Sequence, residues 1–125
     1  ILLMASILDK YQLKDFQEQA AEYEIDCLVE VHDEKELETV LLTQANLIGI
    51  NNRNLKDFSM NTETTFRLKK MIPDDIAVVG ESGLKTADDI RRLQDAGVTA
   101  ALIGETLMRG VNGGNSLQGM RGIAA

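Results

Sequence analysis

A chain of 125 residues is long enough for one ordinary domain but supplies only about half of the roughly 250 residues that a complete eight-fold βα barrel requires. Its hydrophobic fraction of 44% belongs to a globular protein with a core, which excludes intrinsic disorder. A net charge of −7 excludes non-specific attachment to a nucleic-acid backbone, yet leaves room for a small anion in a locally positive pocket.

The first element is the apolar run Ile1–Leu8, predicted as a strand. A bilayer span takes about 18 to 20 apolar residues, and the run carries neither a basic leader nor a small-residue cleavage site, so no membrane partner is expected. A chain that opens in mid-strand raises the expectation that upstream sequence is missing. Leu13, Phe16, Ala20 and Tyr23 then recur at a helical period between charged residues, predicting a helix that buries that face.

Cys27–Val31 is the second predicted strand. Cys27, the one cysteine, cannot form an internal disulfide, so it reads as an inert core thiol in a reducing, cytoplasmic setting. Asp33 and Glu36 have capping-box spacing ahead of a helix with Leu37, Val40 and Leu41. Leu47–Ile50 is the third strand; Asn61 can cap the helix after it, burying Phe66 or Leu68 with Met71 and Ile72 before Pro73 stops it. Ile76–Val79 is the fourth, followed by a helix opened by Thr86 and Asp89, facing inward with Ile90, Leu93 and Ala96, and closed by Gly97. Ala100–Ile103 is the fifth, and Leu117, Met120 and Ile123 suggest a weaker last helix in a glycine-rich tail. Strand and helix alternating at this spacing predict parallel βα units in an α/β fold, with residues 1–125 as a single domain.

Parallel βα architectures carry their chemistry where apolar strands turn polar at their C-terminal ends. Four such junctions occur. Glu30 interrupts a strand of β-formers, and alternation puts it with Leu28 on one face, opposite Cys27, Val29 and Val31; a buried carboxylate there has its pKa raised toward proton-transfer use, or else forms a structural ion pair. Asn51 and Arg53 share a face after the third strand and offer an amide and a fixed cation to an anionic substrate, though Asn51-Asn52-Arg53 also reads as a polar loop. Glu81 repeats the Glu30 pattern, and Ser82-Gly83 follows it with a backbone open to a phosphate oxygen. Gly104 does the same one strand later, next to Glu105, the alternative being tight turns without a ligand. His32, the one histidine, lacks partners at metal-ligand spacing and is expected to point away from the face of Glu30 if the strand extends that far; neither catalysis nor metal binding is assigned to it. Arg91 and Arg92 read as solvated helix positions.

The segments LVEVHDEKELE, LIGINNRNL, VVGESGLKTADDIRRLQDAGV and ALIGETLMR resemble, in unbroken order, the fifth to eighth βα units of the indole-3-glycerol-phosphate synthase family, and ILLMASIL resembles its fourth strand. INNRNL is the most specific stretch, because the related phosphoribosylanthranilate isomerases share the ESG and terminal Gly features without it. The resemblance implies the C-terminal part of a TIM barrel, about five strands with the N-terminal ones absent. It implies a lyase of tryptophan biosynthesis, working without metal or organic cofactor on a sugar-phosphate substrate. It implies Glu30 as acid or base in the dehydration step, Asn51 and Arg53 as positioning groups near the anthranilate carboxylate, Glu81 and Ser82 beside the ribulose portion, and Leu102 in the apolar pocket. Gly83, Gly104 and Glu105 would then offer main-chain N–H groups to the phosphate. In the family a general-acid lysine lies on the third strand and a lysine and a glutamate on the first; none has a counterpart here, so the chain alone is expected to be inactive. Two rival readings are an isomerase-like sugar-phosphate barrel enzyme and a non-catalytic phosphate-binding half-barrel that self-associates.

Overall fold

The computed structural model describes residues 1–109 and 113–121. They alternate as β1 (Leu2–Met4), α1 (Lys10–Glu22), β2 (Leu28–Val31), α2 (Glu34–Leu41), β3 (Leu47–Asn51), α3 (Glu63–Lys69), β4 (Ala77–Glu81), α4 (Ala87–Asp95), β5 (Ala100–Leu102), α5 (Glu105–Arg109) and α6 (Gly113–Met120). The five strands form one sheet in sequence order, every neighbouring pair parallel. This is the α/β pattern expected, an open arc of consecutive βα units.

Register divides the sheet into two faces. Leu3, Val29, Ile48 and Val78 are paired across four strands, as are Val31, Ile50 and Gly80 across three. These rows point at the helices, and their side chains form the main core with Leu13 of α1, Leu37 and Val40 of α2, Leu68 of α3 and Ile72. Gly80 lets Leu93 of α4 come close, since a Cβ there would sit 3.4 Å from both leucine methyls. The opposite face carries Met4, Glu30, Gly49 and Val79 in one row and Asn51, Glu81 and Leu102 in the next. No helix covers it among the described residues. Leu2 and Leu102, at its two edges, are 52% and 58% exposed.

Several local expectations change. The first apolar run is a strand only to Met4, because Ile7 and Leu8 both donate back to the Met4 carbonyl and turn the chain. Helix α1 buries Leu13, Gln17 and Ala20 and leaves Phe16 40% and Tyr23 76% exposed. A polar residue occupies the buried stripe because the Gln17 side-chain amide donates to the Leu13 carbonyl one turn back, satisfying it within the helix. Of the capping box on α2 only half forms: Asp33 accepts from Glu36 N–H, but the Glu36 carboxylate accepts from His32 N–H instead. Asn61 Oδ1 accepts from Glu63 N–H at the start of α3, where Thr64, Thr65 and Leu68 are buried, Phe66 is half-buried and Met71 is exposed. The α4 capping box forms as expected, with Thr86 and Asp89 bonding reciprocally. Its buried residue is Leu93, with Ile90 and Ala96 partly buried, and Gly97 ends it at φ +79°. Helix α5 was not anticipated. In the glycine-rich tail α6 buries Met120 against Leu84 and Leu93 and leaves Leu117 exposed, while Ile123 lies outside the described residues.

Candidate active site

The C-terminal ends of β2, β3 and β4 bring four polar side chains into one hydrogen-bonded cluster. Asn51 is its centre: its Nδ2 donates to Glu30 Oε1 at 3.1 Å, and its Oδ1 accepts from Ser82 Oγ at 2.8 Å and from Arg53 N at 3.0 Å. The register makes this meeting possible, since Asn51 lies opposite Glu81 and Glu30 opposite Gly49. Glu30 and Glu81 are both buried.

Gly49, a glycine inside a strand, has a role at this site. A Cβ at that position would collide with Glu81 Oε1 and sit 3.2 Å from a Leu28 methyl. Its missing side chain thus leaves a space on the open face into which the Glu81 carboxyl leans, toward Glu30; glycine inside a strand is a mark of such close approach. Burial first, then the Glu30 carboxylate as hydrogen-bond partner and as a like charge, pushes the Glu81 carboxyl up to about 8. At neutral pH the Glu81 carboxyl is therefore held in its neutral form.

The turn after β4 is held in an uncommon shape. Ser82 at φ 68° and Gly83 at φ 74° are consecutive left-handed residues. Glycine adopts this freely; serine does so at a cost and needs external support. Two asparagines supply it. Asn51 accepts the Ser82 hydroxyl, and Asn52 Nδ2 donates to the Ser82 carbonyl at 3.0 Å. Asn52 is buried, and its Oδ1 accepts from both Thr65 N–H and Thr65 Oγ1, while its backbone N–H donates to the Glu81 carbonyl. One amide thereby ties the end of β3, the turn after β4 and the first turn of α3. In sequence it reads only as part of a polar loop, because nothing there marks an asparagine as buried. At Gly83 a Cβ would strike Met60 Sδ and lie 3.1 Å from Thr62 Cγ2, so a side chain there would have to displace the exposed Met60, while the φ itself favours glycine.

Beyond this cluster opens a cleft of about 780 Å³ lined by Arg53, Glu81, Ser82, Gly83, Leu102, Gly104 and Glu105, among others. Every residue singled out for catalysis or binding either belongs to the cluster or lines this cleft. Arg53 Nη2 pairs with Glu105 Oε2 at 2.8 Å across it. Gly104 has nothing within 4 Å of where a Cβ would stand, so its side of the cleft is open space. A second cleft of about 1240 Å³ adjoins it on the side of β1 and β2 and shares Arg53.

His32 departs from expectation. Strand β2 ends at Val31, and the imidazole returns to the face of Glu30, with Nε2 3.1 Å from Glu30 Oε1 and Nδ1 3.1 Å from Glu36 Oε2. Positions two apart share a face in an extended chain, so its parity with Glu30 was the signal. Among the described residues no group of His, Cys, Asp and Glu has the geometry to hold a metal ion, and no helix is long and apolar enough to cross a membrane.

Parallel βα units in sequence order, with polar groups gathered at the C-terminal rim of the strands, have the architecture of the βα-barrel class. Comparison with known proteins narrows this: the profile of the indole-3-glycerol phosphate synthase family matches residues 1–120, and the chain belongs to that family. It is 60% identical over 117 residues to the indole-3-glycerol phosphate synthase of Desulfotalea psychrophila, covering 94% of this chain and 45% of that one. The enzyme of the same name from Ruminiclostridium cellulolyticum is 42% identical over 124 residues, with 99% and 48% covered. The chain therefore spans about half the length of the curated relatives it matches. The Amycolatopsis orientalis BexX/CysO complex contains a chain similar in fold, with a TM-score of 0.66 at 16% identity over 91% of this chain and 47% of that one.

Proposed function

We propose that residues 1–125 form one partial barrel domain, the C-terminal part of a barrel that closes carboxyphenylamino-deoxyribulose 5-phosphate to indole-3-glycerol phosphate, releasing CO2 and water. The observation that carries this is the meeting of Glu30, Asn51, Glu81 and Ser82 in one cluster on the rim of a cleft lined by Arg53, Gly83 and Gly104. Family membership supports a sugar phosphate as the substrate class of that cluster.

Each group has a task that its surroundings suit. Glu30, buried at the end of β2, is placed to take or return a proton in the dehydration step. Asn51 fixes it and orients substrate. Glu81, protonated at neutral pH, donates a hydrogen bond toward the ribulose portion beside the Ser82 hydroxyl, whose proton is committed to Asn51. Arg53 takes the anthranilate carboxylate, exchanging its pairing with Glu105 for one with substrate. Leu102 gives the ring an apolar wall, and the N–H groups of Gly83, Gly104 and Glu105 receive the phosphate. The uncovered face and the two edge strands, β1 and β5, accept the rest of a barrel or, in the isolated chain, a second copy. The substrate is a small sugar phosphate, no metal or organic cofactor takes part, and the single free cysteine suits a reducing cytoplasm.

The test is a fusion of the chain to the N-terminal half of the Desulfotalea psychrophila relative, assayed for indole-3-glycerol phosphate. Turnover by the fusion, none by the chain alone, and a loss of about 10² to 10⁴-fold in the Glu30→Gln fusion are expected. A folded fusion that binds phosphate but forms no product would overturn the proposal.

A further inference from the structure

The Glu30–His32–Glu36 arrangement is not used by the chemistry above. Two carboxylates flank one imidazole, one from the site and one from the first turn of α2, each 3.1 Å from a ring nitrogen. The ring is held from its backbone too, because His32 N–H donates to the same Glu36 oxygen at 2.6 Å. His32 Nε2 is buried and finds no well-angled hydrogen bond, so the Glu30 carboxylate is the polar group it faces.

Chemistry decides which groups carry hydrogen. A neutral imidazole presents a lone pair on one nitrogen, which would face a carboxylate lone pair at 3.1 Å; both contacts are attractive only when both nitrogens bear hydrogen. Glu30 Oε1 already accepts from Asn51 Nδ2, so it is an acceptor in the contact with His32 as well. The ionisable groups closest to this assembly are Glu30 on β2, Glu36 on α2 and Glu81 on β4, while Lys10, Asp33, Lys35, Arg53, Lys56 and Arg67 line the same cleft as His32 and Glu36; Met4 of β1 and Asn51 of β3, the neighbours of Glu30 and Glu81, carry no charge.

We propose that His32 is a positioning residue which, clamped by Glu36, holds Glu30 as the anion of the Glu30–Glu81 pair and so places the shared proton on Glu81. Two buried carboxylates at one site bind a proton jointly, and which of them keeps it depends on the nearest fixed charge. A cation against Glu30 breaks the symmetry. The assignment of an anionic base and a neutral donor then follows from a residue outside the cleft of Arg53 and Gly83, on the wall of the adjoining cleft beside β1 and β2. Glu36 acts one step further out, keeping the ring turned so that Nε2 meets Glu30.

This rests on the reading of Glu30 as an acid–base group, but its test reads protonation and not turnover, so the two fail separately. The 125-residue chain is labelled at the glutamate carboxyl carbons, assigned with Glu30→Gln and Glu81→Gln, and titrated. In the unaltered chain the step near pH 8 is expected on the Glu81 carbon. In His32→Gln, which keeps a polar side chain but removes the charge, at least about half of that step's amplitude should move to the Glu30 carbon. Glu36→Gln should move it the same way by less, and serves in its place if His32→Gln does not fold. A step that stays wholly on Glu81 in whichever variant folds would overturn the proposal and leave the ring a space-filler.

Discussion

The two faces of the sheet are built from alternate residues of the same five strands, yet they differ in almost everything else. The helix-covered face is a continuous layer of Leu, Ile and Val with no exposure at Val29, Val31, Ile48, Ile50 or Val78. The other face is polar at its C-terminal rim, interrupted by Gly49, and open toward Leu2 and Leu102. Removing water from the first face supplies the stability of the isolated chain, while the second is arranged around charges that are expensive to bury and useful once buried. A single chain thus separates its packed layer from its polar rim by the two-residue period of a strand.

The largest effect that would sharpen this contrast is a truncation in the covered layer. Ile48→Ala should cost about 2–5 kcal/mol, read as a lower urea midpoint at unchanged slope. Next comes Asn52→Ala, which leaves the buried Thr65 N–H and the Ser82 carbonyl without their partner; a loss of about 1–3 kcal/mol is expected. Anion binding at the turn should weaken in parallel, because Ser82 loses the support for its left-handed backbone.

The third effect is a pH dependence that belongs to the open face. The Glu81 carboxyl binds its proton more tightly folded, at about 8, than at its ordinary value of 4.5. Its stabilising contribution is therefore fully present below about 4.5 and is lost as pH rises through about 8. Glu81→Gln should flatten the decline of the urea midpoint across that window, and an unchanged decline would assign it to other groups. The smallest effect is the counterpart of the first: Leu102→Ala, on the uncovered face, should change the midpoint of the isolated chain by less than about 0.5 kcal/mol. A cost comparable to Ile48→Ala would mean that something covers that face in solution.

The covered face was the legible one. Runs of β-formers with helices between them announce a buried parallel sheet, and strands β2 to β5 lie within two residues of their expected ends. Strand β1 was read too long because the turn at Ala5–Ile7 is made of the same apolar residues as a strand. Helix α1 was placed correctly, but its buried face was misread through Phe16, since periodicity assigns large apolar residues inward whether or not a layer exists to receive them. Five residues are too few for α5 to show a period at all.

The rim was legible in part. Alternation pairs Glu30 with Leu28 and Asn51 with Arg53, the polar ends of parallel strands put Glu30, Asn51 and Glu81 at one rim, and the glycines after β4 and β5 point to loops that approach something closely. What sequence did not reveal depends on partners distant along the chain. Asn52 is defined by Thr65 and Ser82, Gly49 by the carboxyl of Glu81, and His32 by two glutamates on different elements. A local pattern carries no trace of such pairings.

The most direct measurement is of where an anion settles on the isolated chain, followed by backbone amide shifts as inorganic phosphate is added. Saturable changes centred on Ser82, Gly83, Gly104 and Glu105, and weakened in Asn52→Ala, are the expected result. Changes confined to the helix side of the sheet, or none that saturate, would contradict a phosphate site on the open rim.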